Sequence, residues 1–191
     1  MTTIPDKYRI ADLAALTALY GEPRPSARIK ETPALQPSQQ AFIQAAPFLA
    51  LATAGPGGLD ISPRGDAPGF VQVQDDKTLL LPDRRGSNRV DSLRNIIADP
   101  RVALLFLIPG IAQALRVNGE ARISVEPALL ERLSAAGEAP RSVLVIGVQA
   151  VFFQNSRAIR QARLWDADAQ WPYDGPCDGP RGDGAARDWV E

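Results

Sequence analysis

The chain has 191 residues, 21 of them lysine or arginine against 22 aspartate or glutamate, and is 45% hydrophobic; this suits one globular domain with extensions and gives no overall pull toward nucleic acid or an anionic membrane. Histidine is absent and Cys177 is the single cysteine, which excludes Ser-His-Asp and Cys-His catalysis, histidine-ligated zinc, iron or haem, an internal disulfide and any Cys-x-x-Cys site. An enzyme of this composition needs an organic cofactor for difficult chemistry.

The segment 9–20 places Ile10, Leu13, Leu16 and Leu19 at helical spacing, and Gly21 followed by Pro23 ends that helix. It lacks a hydrophobic signal core, and no apolar run reaches the ~18 residues of a membrane span, so a cytoplasmic location is expected. Prolines between Glu22 and Pro37 predict an irregular connector, after which Ser38 caps a helix carrying Phe42 and Ile43. The expected division is therefore an N-terminal helix and connector over 1–37, a domain over 38–170, and an irregular tail over 171–191 rich in glycine and proline.

Within the domain the period changes. Residues 48–54 and 59–62 read as strands joined by a glycine-rich turn, and 69–74 and 78–82 as a second hairpin turning at Asp75-Asp76-Lys77. Helical spacing returns over 88–98, with Asn88 as a candidate cap and Asp99-Pro100 as the stop. The continuous apolar run 101–108 predicts a strand buried on both faces. Residues 114–125 alternate around Gly119, where a bulge or sharp bend is expected. A helix over 126–136, a long strand over 142–153 and a helix over 156–165 complete the domain. Many strands and few helices make the fold mainly β (α+β): a six-stranded antiparallel barrel with short peripheral helices.

Chemistry is concentrated in two places. Arg84, Arg85, Arg89 and Arg94, opposed only by Asp91, straddle the predicted strand-to-helix junction. Backbone N–H groups at a helix start lack intrahelical acceptors and lie at the positive end of the helix dipole, so an anion is held there by both. Gly86 permits close backbone approach, and Ser87 and Asn88 add neutral donors. Taken alone, such a run is more often a solvated face. The second place, Ser62-Pro63-Arg64-Gly65, ends the strand 59–62; with that strand beside 78–82, Arg64 comes near Arg84 and Arg89.

The segments 62–70, 82–96, 101–110 and 115–121, in that order, resemble those of the pyridoxamine 5′-phosphate oxidase-like FMN-binding split barrels, in particular a bacterial subgroup regarded as FMN-dependent enzymes of unknown substrate. The resemblance implies that Arg64, Ser87, Asn88 and Arg89 grip the FMN phosphate and that Pro82 and Asp83 lie near the ring or ribityl chain, with Ser62, Arg84 and Arg85 also in the cofactor-binding set. Arg89 replaces the family's lysine, keeping the charge and adding a fork. The resemblance also implies a homodimer with flavin at the interface, where Gln113 and Arg116 are the counterparts of the residues reaching in from the partner; Ala114 stands where the family has its glutamine. The family's C-terminal arginine-x-histidine element, which handles the pyridoxal moiety, has no counterpart in a chain without histidine.

The expectation is an FMN-dependent oxidoreductase acting on a small molecule other than pyridoxamine phosphate. The alternatives are a non-catalytic flavin-binding or anion-sensing protein, and a deazaflavin in place of FMN. An oligonucleotide-binding barrel is disfavoured by the lack of an exposed aromatic pattern. Asp75-Asp76 is turn chemistry, Gly55-Pro56-Gly57-Gly58 lacks the lysine of a phosphate loop, and Arg157, Arg160, Arg163 and Trp165 fit an ordinary amphipathic helix better than a substrate site.

Overall fold

The computed structural model describes Pro5 and residues 8–22, 31–84 and 89–169. Trp171, Cys177 and Trp189 lie outside the described residues, as do Arg85, Gly86, Ser87 and Asn88 of the expected anion site.

Helix α1 (Leu13–Tyr20) starts later than its apolar spacing suggests, because the Asp12 carboxylate caps it by accepting from the Ala15 N–H at 2.8 Å. None of its residues is buried. Helix α2 (Pro37–Ala45) is capped by Gln36 rather than Ser38. Proline, which has no N–H to lose, takes the first helical position, and the cap lies two residues earlier than expected. The Gln36 N–H donates to Gln39 Oε1 at 2.8 Å, and Ile43 is driven into the barrel core.

Strands β1 (Phe48–Gly55) and β2 (Gly58–Gly65) form the first hairpin, with Gly58 at φ 110° in its turn. Strands β3 (Gln72–Asp75) and β4 (Thr78–Asp83) form the second. After α3 (Asp91–Ala98) come β5 (Arg101–Leu107), β6 (Gln113–Ser124), α4 (Pro127–Arg132), β7 (Ser142–Asn155) and α5 (Arg157–Gln161). The sheet is antiparallel with order β2-β1-β5-β6-β7-β4-β3. It has seven strands, not six; the short edge strand β3, paired only with β4, makes the seventh.

In a flat sheet β2 and β4, five steps apart in this order, would lie ~24 Å from each other. Arg64 Nη2 nevertheless lies 3.9 Å from Asp83 Oδ1, so the sheet is rolled into a barrel. The expectation that β2 lies beside β4 needs correction: β2 pairs with β1, and β4 pairs with β7 and β3. Their ends approach across an open seam through side chains, and the fold is a split barrel.

Leu49, Leu51, Phe106, Leu115, Leu144 and Ile146 fill the interior, and Phe42 meets Phe153 edge to face at 5.5 Å. Strand β5 is buried on one face only: Val102, Leu104 and Phe106 point inward, while Ala103, Leu105 and Leu107 are half-buried outside. β6 is continuous through Gly119 rather than split in two, with the expected register shift between Asn118 and Gly119. A Cβ on Gly119 would overlap the Gly147 carbonyl of the neighbouring strand, so only glycine lets the two backbones approach there. Helices α4 and α5 are shorter than their apolar spacing suggests, α5 being capped by the Ser156 hydroxyl, which accepts from the Ile159 N–H at 3.1 Å.

Candidate functional site

The inward face changes character at β2. Its register places Asp60, Ser62 and Arg64 opposite Thr53, Leu51 and Leu49 of β1, on the side of the sheet that is mostly apolar near the core. They survive there because the barrel is open at this edge and α3 and the seam, not apolar side chains, face them. The Ser62 hydroxyl donates to Asp60 Oδ2 at 3.2 Å; the hydroxyl of Ser92, in the first turn of α3, lies 3.1 Å from the same oxygen and 3.2 Å from Ser62 Oγ. This clasp ties the first turn of α3 to β2.

Arg64 and Arg84 line this seam and Arg89 precedes α3, each with a carboxylate. Arg64 faces Asp83 at 3.9 Å, Arg84 Nε donates to Asp66 Oδ2 at 2.8 Å, and Arg89 Nε donates to Asp91 Oδ2 at 3.0 Å. They are not equivalent. Arg84 also donates from Nη2 to the Leu133 carbonyl at 3.2 Å, so both ends of its fork tie the seam to the chain following α4. Arg64 is beyond hydrogen-bonding distance of its carboxylate, and Arg89 is 80% exposed and engaged through Nε alone. These two keep donors for an incoming anion. The helix start itself is less free than expected, since Asp60 and Asp91 already place carboxylates at it. Val90, the residue before α3, has φ 52°, a conformation that costs a β-branched residue about 1–2 kcal/mol and is held by the clasp and the helix on one side of it.

Pro82 is buried in β4, and with Asp83 it borders a seam cavity of about 180 Å³ that also touches Pro63, Arg64 and Phe70. That is below the ~300 Å³ at which small-molecule pockets usually start. The described residues here line a small recess with Arg64 and Asp83 at its edge.

Residues 35–155 match the family model of pyridoxamine 5′-phosphate oxidase. The chain belongs to the pyridoxamine 5′-phosphate oxidase family. Among solved structures, HupZ of Group A Streptococcus is similar at 21% identity and a TM-score of 0.52, over 64% of this chain and 95% of that one. A single-residue variant of the same protein gives 19% and 0.53, over 63% and 99%. A protein of Lactobacillus delbrueckii described as a putative pyridoxamine 5′-phosphate oxidase is 22% identical with a TM-score of 0.49, over 63% and 95%. No curated protein matches the chain. At such identities the likeness to HupZ speaks for the fold alone.

Within this family fold, Gln113 and Arg116 do not join the seam. Gln113 Nε2 donates to Asn155 Oδ1 at 3.3 Å, and the Arg116 guanidinium stacks 4.9 Å from the centroid of Phe152. Arg116 stands on the outer face, three strands from Pro63 along one row of the register, a separation of ~14 Å. Trp165 donates from Nε1 to the Ile111 carbonyl at 3.0 Å, and Arg163 pairs with Asp166, which accords with structural roles for both. Sequence reasoning missed Asp60, Asp66 and Ser92, although the alternation Asp-x-Ser-x-Arg over 60–64 carries the signal. It also missed a second opening of about 580 Å³ beside the seam, with Asp66, Arg84, Glu138 and Arg141 among its walls and Ala135, Ala136 and Ala139 giving it room.

Proposed function

We propose that this chain is an FMN-dependent oxidoreductase that works as a homodimer in the cytoplasm on a small molecule other than pyridoxamine phosphate. The observation that carries the reading is the polar inward strip Asp60, Ser62 and Arg64 at an open barrel seam, facing the start of α3 and Asp83. Arg64 and Arg89 grip the FMN phosphate, with Ser87, Asn88 and Arg85 completing the cradle. Ser62 positions this corner through its bond to Asp60, and Arg84 braces it. Pro82 and Asp83 border the ribityl chain. By the family resemblance, Gln113 and Arg116 of a second copy would face the flavin ring.

When bound, FMN supplies hydride transfer. The chain's own residues hold the phosphate, keep the seam braced and offer the larger opening at Asp66, Arg84, Glu138 and Arg141 to the substrate. Those walls carry both signs of charge, which suits a substrate with both donor and acceptor groups. Among the described residues no helix is long and apolar enough to cross a membrane.

The test is to purify the full chain, add FMN, remove the excess and record the flavin absorption. Retained flavin is the expected result, and a colourless protein that cannot be reconstituted overturns the reading. Reduction of the bound flavin by a nicotinamide donor faster than that of free FMN identifies turnover; equal rates identify a flavin carrier. Reconstitution with a deazaflavin instead would replace FMN in the scheme.

A further inference from the structure

The outward face of the barrel is divided. On β6 it carries the exposed charges Arg116, Glu120 and Arg122. On β1 and β2 it carries none: Ala50, Ala52 and Ala54 make a floor of small side chains, and Leu59 and Ile61 stand beside it 90% and 70% exposed. A second bare apolar surface belongs to α1. None of its residues is buried, and Leu13, Leu16 and Tyr20 share one face at helical spacing while 79%, 40% and 78% exposed. An eight-residue helix is marginal in water, so α1 calls for a surface to rest on. Residues 13–21 hold no charge, and the charges that flank them, Asp12 and Glu22, are both acidic. Helices that lie on membranes carry a basic polar face; this one suits an uncharged protein surface.

We propose that α1 of one copy lies on the outward face of β1 and β2 of a second copy, its Leu13, Leu16 and Tyr20 against Leu59 and Ile61. The inference rests on the dimer proposed above and adds an exchanged arm to it. The two surfaces match in length, since α1 is ~12 Å long and the outward residues from Leu59 to Pro63 span ~14 Å of strand. The arm also has the reach. Thr32 is pinned to β7 by bonds in both directions with Val151, at 2.9 and 2.8 Å, and the eleven residues 21–31 extend at most ~36–40 Å. Within one chain β2 is four strands from β7, only ~19 Å along the sheet, yet α1 and the β2 strip both stay exposed. The missing occupant of each is therefore supplied by another copy. A helix of this length covers on the order of 120 Å², well below the ~800 Å² per partner of a standard interface, so the arms tighten a dimer that other contacts form.

The experiment is disulfide capture in the full chain carrying Cys177→Ser. Chains with Leu16→Cys are mixed under mild oxidation with chains carrying Ile61→Cys, and separately with chains carrying Val125→Cys, an equally open position just beyond β6. A covalent heterodimer through Ile61→Cys, in clear excess over the one through Val125→Cys, is expected; equal yields overturn the docking. An intrachain disulfide in the double variant Leu16→Cys/Ile61→Cys, with no heterodimer from the mixture, places the arm on its own barrel and overturns the exchange. In sedimentation Leu16→Asp should raise the dimer dissociation constant about tenfold and should add nothing in a chain that already carries Ile61→Asp, because both changes remove one contact. A wild-type dimer matched by an equally tight Leu16→Asp dimer overturns the arm and leaves the dimer standing, whereas a wild-type chain that is monomeric at every concentration overturns the dimer itself. Pelleting of the wild-type chain with phosphatidylcholine–phosphatidylglycerol vesicles, abolished by Leu16→Asp, would give α1 to a lipid surface and overturn the proposal.

Discussion

Strands β1 and β2 are hydrogen-bonded neighbours of equal length, and they use the two sides of the sheet in opposite ways. β1 sends Leu49, Leu51 and Thr53 into the barrel and leaves the small Ala50, Ala52 and Ala54 outside. β2 sends Asp60, Ser62 and Arg64 inward and leaves Leu59, Ile61 and Pro63 outside. Alternation dictates which residues share a face, but the choice of interior depends on what covers each side. Where the barrel is closed, apolar residues face in. At its open edge the polarity inverts, which places charge at the seam and apolar surface where a second copy can bury it.

The largest effect that tests this contrast is on stability. Leu51→Ala should cost about 2–5 kcal/mol, the usual range for emptying a core leucine site. Ile61→Ala, one register position away on the other face, should stay within about 0.5 kcal/mol at protein concentrations where the chain is monomeric. Urea denaturation measures both, and equal losses would mean that Ile61 is a core residue and that the inversion is wrong. Association should separate them the other way. Ile61→Asp should weaken dimerisation on the order of a hundredfold by burying a charge without a partner, with the melting of the monomer unchanged, whereas Leu51→Ala should leave the contact surface intact.

Much of the barrel was legible because its strands carry their own punctuation. Gly55-Pro56-Gly57-Gly58 and Asp75-Asp76-Lys77 mark the two hairpin turns, and Gly119 marks the register shift. Strand pairing across the barrel was not legible, since nothing local to 59–62 says that its far neighbour is an open seam rather than β4. The same limit applies to the site. Arg64, Arg84 and Asp83 could be grouped from two strand ends, but the pairing of Arg84 with Asp66 and the bonds that bring Ser92 to Asp60 and Ser62 arise from contacts 18 to 32 residues apart. The outer face of 101–107 read as core because a half-buried alanine and leucine row looks the same in sequence whether or not a second layer covers it.

The arginines of the seam sharpen the contrast further. Arg64→Ala should weaken FMN binding about tenfold to a hundredfold, as expected for loss of a charge-assisted hydrogen bond of about 1.5–3 kcal/mol to the phosphate, with little change in melting. Arg84→Ala should do the reverse. It releases Asp66 and the Leu133 carbonyl together, so about 1 kcal/mol of stability should be lost, and flavin binding should fall only a few-fold. Fluorescence titration of FMN alongside thermal melting reads both quantities on the same samples, and identical profiles for the two variants would erase the distinction between gripping and bracing.

The smallest effect is the most discriminating, because its two parts have opposite signs. Asp60 accepts from Ser62 and lies 3.1 Å from the Ser92 hydroxyl at the first turn of α3, where a negative charge stabilises the helix by about 0.3–1 kcal/mol. Asp60→Asn keeps an acceptor but removes that charge, so the melting temperature should drop slightly. The same change removes a carboxylate from the inward face that the FMN phosphate must approach, so flavin affinity should rise a few-fold, more at low salt than at high salt. A lower melting temperature with unchanged affinity would show that Asp60 serves only as a clasp and that the phosphate sits toward Arg89, away from β2. A fall in both would mean that Asp60 supports the grip through Ser62, and the inward strip of β2 would then act as one bonded unit.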